Sequence, residues 1–401
     1  MTNVIIIGAG ISGLSAALAL KARGMSYSIL EAGGEIGGRA QTRRLPSGVP
    51  ADLGPHWLHG ETSELVDLIA RYGLVSRKDN GAAMRIYEYG RQVDRGDDWP
   101  AGAVDPDMAR AIASGDSPDV PISGLGKDEE GRKWLRLFGQ GWNGLEPPAE
   151  PSAYEFLTDE SEPGGLQLDG GMAALVTHMA DEVGRESIQL DTPVTEVRAT
   201  AEGVAVNGLA AGRAVVTVGL GALNSGRIGF DPEVRAAIGA ATQGLVVSRM
   251  NKIILELDPG LFADRHIPED LGLLVVDARA HYCHIRSGGL PLLTLFATGE
   301  AAVAVEGLSH VQALHYVAEA VKAVPQLHDL KKFVVSEPIV TRWLANPWTQ
   351  GAYSALMPGH RRYAPWWTGR VGVCGDSFDD RFPASLAGAF RSGKRLIEAL
   401  P

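Results

Sequence analysis

Three glycines, Gly8, Gly10 and Gly13, follow the uncharged apolar run Val4-Ile5-Ile6-Ile7, and Glu31 stands at the end of the next apolar run. Glycines so spaced let the chain turn tightly, approach a pyrophosphate and pack a helix on a sheet. An acid at the tip of the second strand accepts from a ribose hydroxyl, so this stretch is equipped to hold a dinucleotide. Two other side chains could do chemistry: Lys252, a cation beside the apolar run Ile253-Ile254-Leu255 of the stretch Val246–Leu257, and His59, in the run Asp52-Leu53-Gly54-Pro55-His56-Trp57-Leu58-His59-Gly60. A buried lysine is costly unless paired, so Lys252 either has a task or is solvated on an edge strand.

These residues need elements to position them. Val4–Ile7 reads as a buried parallel strand, and Leu14–Lys21, rich in Ala and Leu at helical spacing, as a helix. Its N-terminal amides and dipole would face phosphate, with Ile11 and Ser12 of the preceding turn beside the cofactor. Tyr27-Ser28-Ile29-Leu30 is a second strand ending on Glu31. Glycine-rich turns are common, but strand, turn, helix, strand and acid in that order meet the context a dinucleotide site requires. Further along, helices are expected from about Ser63 to Tyr72, over 107–114, 127–142 and 172–183, after Pro232, and over 309–324. Strands are expected within 188–197, over 204–206 and 214–218, as one long strand over 246–257, and over 271–276, 281–285 and 292–297. Trp99, Trp134 and Trp142 lie in a charged, Gly- and Pro-rich region and read as core aromatics.

The continuation Glu31-Ala32-Gly33-Gly34-Glu35-Ile36-Gly37-Gly38-Arg39 resembles the FAD-binding signature of the flavin amine oxidase superfamily, which holds monoamine and polyamine oxidases and, more distantly, desaturases and renalase-like proteins. Gly38 would pass close to the cofactor while Arg39 neutralises a phosphate. Ile36 and Glu35 stand where the family usually has an arginine. The Gly54-Pro55-His56-Trp57 segment resembles the one that lines the flavin ring in polyamine oxidases, with His59 facing the substrate; His59 is either structural or binds or deprotonates an amine. The resemblance also implies that Val194 pairs with adenine through its backbone, that Lys252 holds a water at flavin N5, and that Trp343, Trp348 and Tyr353 flank the amine. Ala352 stands where monoamine oxidases carry the cysteine bonded to FAD, which implies non-covalent FAD. Gly375 and Asp376 match the ribityl-binding pair, with Asp for the more usual Glu. Ala384, Ser385 and Leu386 open the last helix toward the flavin; Ser385 replaces a second cage tyrosine of monoamine oxidases, and polyamine oxidases fit better.

The expected fold class is therefore α/β: a doubly wound, glutathione-reductase-type Rossmann domain for FAD (1–80, 165–235, 345–401) with an interleaved α+β substrate domain (81–164, 236–344). A length of 401 residues suits two domains. The expected reaction is hydride transfer from the carbon beside an amine to flavin N5, imine hydrolysis, and reoxidation by O2 with release of H2O2. A same-fold enzyme on a non-amine substrate (reductase, desaturase or isomerase) and an FAD-stabilised binding protein stay open. A net charge of −11 argues against a nucleic-acid partner and favours a cationic small substrate. Cys283 and Cys374 lack metal-ligand spacing and read as reduced cytosolic thiols. The N-terminal run has no basic flank and no stretch suits a membrane span, so a soluble cytoplasmic protein is expected.

Overall fold

The strand Thr2–Ile7 lies between Tyr27–Leu30 and Leu209–Val216, parallel to both. Both faces are covered, which is why Val4 to Ile7 carry no polar residue. Ile188–Gln189 extends the sheet beyond Tyr27–Leu30, and Val371–Val373 extends it beyond Leu209–Val216, again in parallel. With the antiparallel strands Glu196–Ala199, Val204–Val206 and Trp366–Thr368 and the short Gly229–Phe230, nine strands join among the described residues. This computed structural model describes residues 2–59, 64–79, 84–94, 101–161, 165–276 and 280–400. Gly60, the helix start at Ser63, Trp99 and the expected boundaries near 80 and 164 lie outside them.

One face of this sheet is covered by helices Ile11–Ala22, Met172–Val183 and Leu386–Glu398, packed through Leu14, Ala17, Leu175, Met179, Phe390 and Leu396. The first and last of these touch closely. A Cβ on Gly393 would sit 2.2 Å from the Ser12 carbonyl oxygen, and Ser15 Oγ donates to the Phe390 carbonyl at 2.6 Å. Gly13 plays the same part against the strand, where a Cβ would lie 2.0 Å from the Gly8 carbonyl.

A second sheet runs in the order Ile339–Val340, Met250–Glu256, Leu292–Thr298, Ala280–Ile285, Leu271–Val276, Arg85–Glu88, Arg91–Val93. It is antiparallel except between Leu271–Val276 and Arg85–Glu88. Alternation divides its faces. Ile253, Leu255, Cys283, Ile285, Leu293, Leu295 and Ala297 pack with Ala313 and Val317 of helix His310–Ala320. Lys252, Tyr282, His284 and Phe296 hold the opposite positions.

Two expectations need correction. The stretch 246–257 is not one strand: Leu245–Val247 pairs with Ser354–Leu356, whereas Met250–Glu256 belongs to the second sheet. The break falls where Ser248 N donates to the Tyr353 carbonyl and Arg249 N to the Gly144 carbonyl, removing both from a strand ladder. Nor is Lys252 on an edge, because Met250–Glu256 is flanked by Leu292–Thr298 and Ile339–Val340.

Candidate active site

A cavity of about 1480 Å³ runs from the glycine turn of the first sheet to the open face of the second. At its first end, Gly10 caps the helix Ile11–Ala22 with no side-chain bond to the first-turn amides. Those amides and the positive end of the helix are left for an anion. Glu31 lines the same end; Oε2 accepts from Ala9 N at 2.7 Å and Oε1 from Gly33 N at 2.9 Å. Each oxygen keeps a lone pair for a ribose hydroxyl while its backbone bonds fix the loop. Gly38, at φ +57°, adopts the left-handed conformation glycine favours, and a Cβ there would face the Gly10 Cα at 3.7 Å. These residues fit a dinucleotide.

At the far end, strand register assembles a row. Lys252 pairs with Phe296, and Phe296 with Tyr282, so all three stand side by side on one face of adjacent strands. Lys252 Nζ lies 5.2 Å from the Phe296 ring centre and donates to the Asp52 carbonyl at 2.9 Å. Burial lowers the Lys252 ammonium to about 8, against the pull of the Asp52 carboxylate. Trp57 stacks over Phe296 with centres 6.0 Å apart and planes 7° from parallel, and Trp142 stacks on Trp57 at 6.3 Å. Phe138 and Trp142, one helical turn apart on Glu129–Asn143, stack on each other at 6.0 Å. Tyr353 closes this corner through its hydroxyl, which donates to the Trp142 carbonyl.

Gly8, Gly10, Ile11, Ser12, Glu31, Ala32, Gly38, Arg39, Gly54, Pro55, His56, Trp57, His59, Val194, Lys252, Trp343, Trp348, Tyr353, Asp376, Ala384, Ser385 and Leu386 all border this one cavity. Gly13 and Gly375 lie behind it. Gly13 serves helix packing, and Gly375 N donates to Ser392 Oγ at 3.0 Å. Trp343 is largely core: it packs with Leu45, Leu53 and Ile254, and its Nε1 donates to the Leu53 carbonyl at 3.2 Å. Trp348 is 40% exposed. Trp142, expected in the core, lines the cavity, whereas Trp134 is buried at 2%. Four wall aromatics escaped the sequence reading: Phe138, Trp142, Tyr282 and Phe296. The i, i+4 spacing of the first pair was available, but the second pair needed the strand register.

Arg39, expected to neutralise a phosphate, is paired with a carboxylate. Its guanidinium takes Asp376 in a fork, Nη2 to Oδ1 at 2.6 Å and Nη1 to Oδ2 at 3.1 Å, and also donates to the Ala352 carbonyl. Two stretches of cofactor-site sequence from opposite ends of the chain are thereby clamped together, and the pair brings no net charge. Asp376→Asn is expected to weaken flavin binding about tenfold or more, because it leaves a part-buried guanidinium with half a fork. Titration of apoprotein with FAD, followed by flavin fluorescence, checks this; unchanged affinity would show that the clamp does not shape the site.

A mixed sheet with a parallel centre and a dinucleotide turn, facing a largely antiparallel sheet across one aromatic-lined cavity, defines a two-sheet dinucleotide-binding protein. The chain belongs to the flavin containing amine oxidoreductase family, whose model matches residues 11–121 and 125–396. It is a flavin-dependent amine oxidoreductase. It is 27% identical over 392 residues to probable polyamine oxidase 4 of Arabidopsis thaliana, covering 88% of this chain and 76% of the relative. To polyamine oxidase 4 of Oryza sativa subsp. japonica it is 26% identical over 400 residues, covering 89% and 79%. Its fold matches wild-type putrescine oxidase bound to putrescine (TM-score 0.80, 21% identity, 99% of this chain and 98% of that one). Cyclohexylamine oxidase from Brevibacterium oxydans IH-35A matches equally (TM-score 0.80, 20% identity, 99% and 98%).

Proposed function

We propose that the protein binds FAD without a covalent link and oxidises small aliphatic amines of the polyamine type. The row Lys252, Phe296, Tyr282 under Trp57, at the far end of a cavity that begins at a dinucleotide turn, carries this reading. The bound flavin supplies hydride acceptance from the carbon beside the amine, with O2 as the final acceptor and H2O2 released. Trp57, Phe296, Tyr282 and Trp142 orient a slender alkyl amine by their faces. Lys252 donates one bond to Asp52 and keeps further donors for a water at the reacting end. His59, 6.2 Å from the Trp57 ring centre and 6.4 Å from that of Trp142, borders the same space and binds the amine. On this reading 1–80, 165–235 and 345–401 form the cofactor half of the molecule and 81–164 with 236–344 the substrate half.

Anaerobic mixing tests the proposal. Spermine or spermidine is expected to bleach the flavin spectrum, and air to restore it with peroxide release. Bleaching by NADH alone, with none by amines, would overturn it in favour of a reductase. Ala352 supports the non-covalent mode, since no thiol stands at that position. Acid precipitation is therefore expected to leave all flavin in the supernatant, and yellow colour retained in the pellet would contradict it.

A further inference from the structure

Beside the aromatic row lies a buried polar chain, anchored to it where Asp79 Oδ2 accepts from Trp57 Nε1. His56 Nε2 and His284 Nδ1 are 2.8 Å apart, and Ser287 Oγ lies 3.0 Å from the same Nε2. His284 Nε2 stands 3.7 Å from Asp79 Oδ2, and Asp270 joins Asp79 and His284 in one cluster. His284, Asp79 and Ser287 are buried, while His56 borders the cavity. Among the described residues both hydrogen-bond contacts of the His56 ring meet Nε2, and the ring borders the cavity, so Nδ1 is the nitrogen an occupant would meet. From this geometry we infer that His56 and His284 form a proton relay, by which an amine arriving as its ammonium is neutralised inside the site. The inference rests on the amine-oxidase reading and adds to it where the proton goes.

The transfer balances without electrons. The ammonium gives a proton to His56 Nδ1; the bond from His56 Nε2 to its hydrogen breaks, and that proton forms a new bond to His284 Nδ1. His284 becomes an imidazolium, with Asp79 and Asp270 stabilising it as carboxylates stabilise an imidazolium in hydrolytic triads. Ser287 suits both ends of the step, since its hydroxyl accepts from Nε2 before transfer and donates to it afterwards. Burial, with Lys252, His284 and His59 nearby, holds His56 well below the ordinary imidazole range, so it is neutral at rest and passes a proton on rather than keeping it. Burial also lowers His284, against the pull of Asp79 and Asp270 and with Lys252 adding to the lowering. Phe296 and Trp57, the aromatic neighbours of the His56 ring, add no charge.

The test compares wild type with His284→Asn, which keeps an acceptor for His56 but cannot hold a proton, and with Asp79→Asn. Anaerobic flavin reduction by spermidine is followed by stopped flow from about pH 7 to about pH 10, near the pKa of an alkyl ammonium. Both variants are expected to move the acid limb upward by about one unit or more, which is about tenfold slower reduction at pH 7. All three proteins should converge at the alkaline end, where substrate arrives neutral. Superposable profiles, or slowing by one factor at every pH, would overturn the relay and leave these residues structural. Should His284→Asn not retain flavin, Asp79→Asn decides by the same criterion. Wild type that spermidine does not reduce would remove the oxidase reading and the relay with it, an outcome distinct from reduction with unshifted variants.

Discussion

Lys252→Met is expected to keep its flavin and to slow flavin turnover at least about tenfold. Methionine matches the length of the lysine stem, so the face shared with Phe296 stays filled, while the donor to the Asp52 carbonyl and any further donors are lost. Stopped-flow reduction and reoxidation measure the effect; unchanged turnover would remove Lys252 from the mechanism. The same variant has a pH signature in stability. The folded-state value of about 8 lies below the ordinary 10.5, so the unfolded chain holds the proton more tightly. The penalty for burying the charged form is fully present below about pH 8 and is relieved as pH rises toward 10.5. The Met variant lacks this dependence. Its melting temperature relative to wild-type apoprotein should be most favourable below pH 8 and should decline as pH rises above that. A difference that stays flat with pH would show that the ammonium is not desolvated.

Gly393→Ala is expected to yield a destabilised protein that does not hold flavin. The added methyl would lie 2.2 Å from the Ser12 carbonyl oxygen and 3.2 Å from Ala16 N, both backbone atoms that cannot rotate away. Helices Ile11–Ala22 and Leu386–Glu398 must then part, and overpacking against backbone atoms costs about 1–3 kcal/mol. The parting also shifts the Gly10 turn, where the phosphates belong. Gly239→Ala is the control. Gly239 is exposed on helix Pro232–Ala241 with nothing within 4 Å of a built Cβ, and helix propensity gives alanine an advantage of about 1 kcal/mol. Thermal melts and the flavin-to-protein absorbance ratio check both. A yellow Gly393→Ala protein with wild-type stability would show that the helices have slack.

The first sheet could be read from the chain because its determinants are local. Val4–Ile7, the three glycines and Glu31 sit within one strand–helix–strand unit, and Glu31 bonds back to Ala9 and Gly33 inside it. The far end of the cavity could be read only in part. Lys252 stood out as a cation among apolar residues, but Phe296 and Tyr282 look like ordinary strand aromatics until pairing places them beside it. The His56–His284 contact joins residues 228 positions apart, and the Arg39–Asp376 clamp joins residues 337 apart. No local pattern encodes either. The break at Ser248 was invisible for the same reason, since its backbone bond goes to Tyr353.

The close seat of helix Leu386–Glu398 against Ile11–Ala22, with Ser15 bonded to Phe390, has a consequence for biosynthesis. During translation the nucleotide-binding turn emerges well before the surface that covers its helix, which is made hundreds of residues later. Until that segment leaves the ribosome, Leu14 and Ala17 lack the Phe390 and Leu396 side chains that share their core, and a nascent chain must keep this stripe from sticking to others. Stable flavin binding is thus expected only after the segment Leu386–Glu398 has been made.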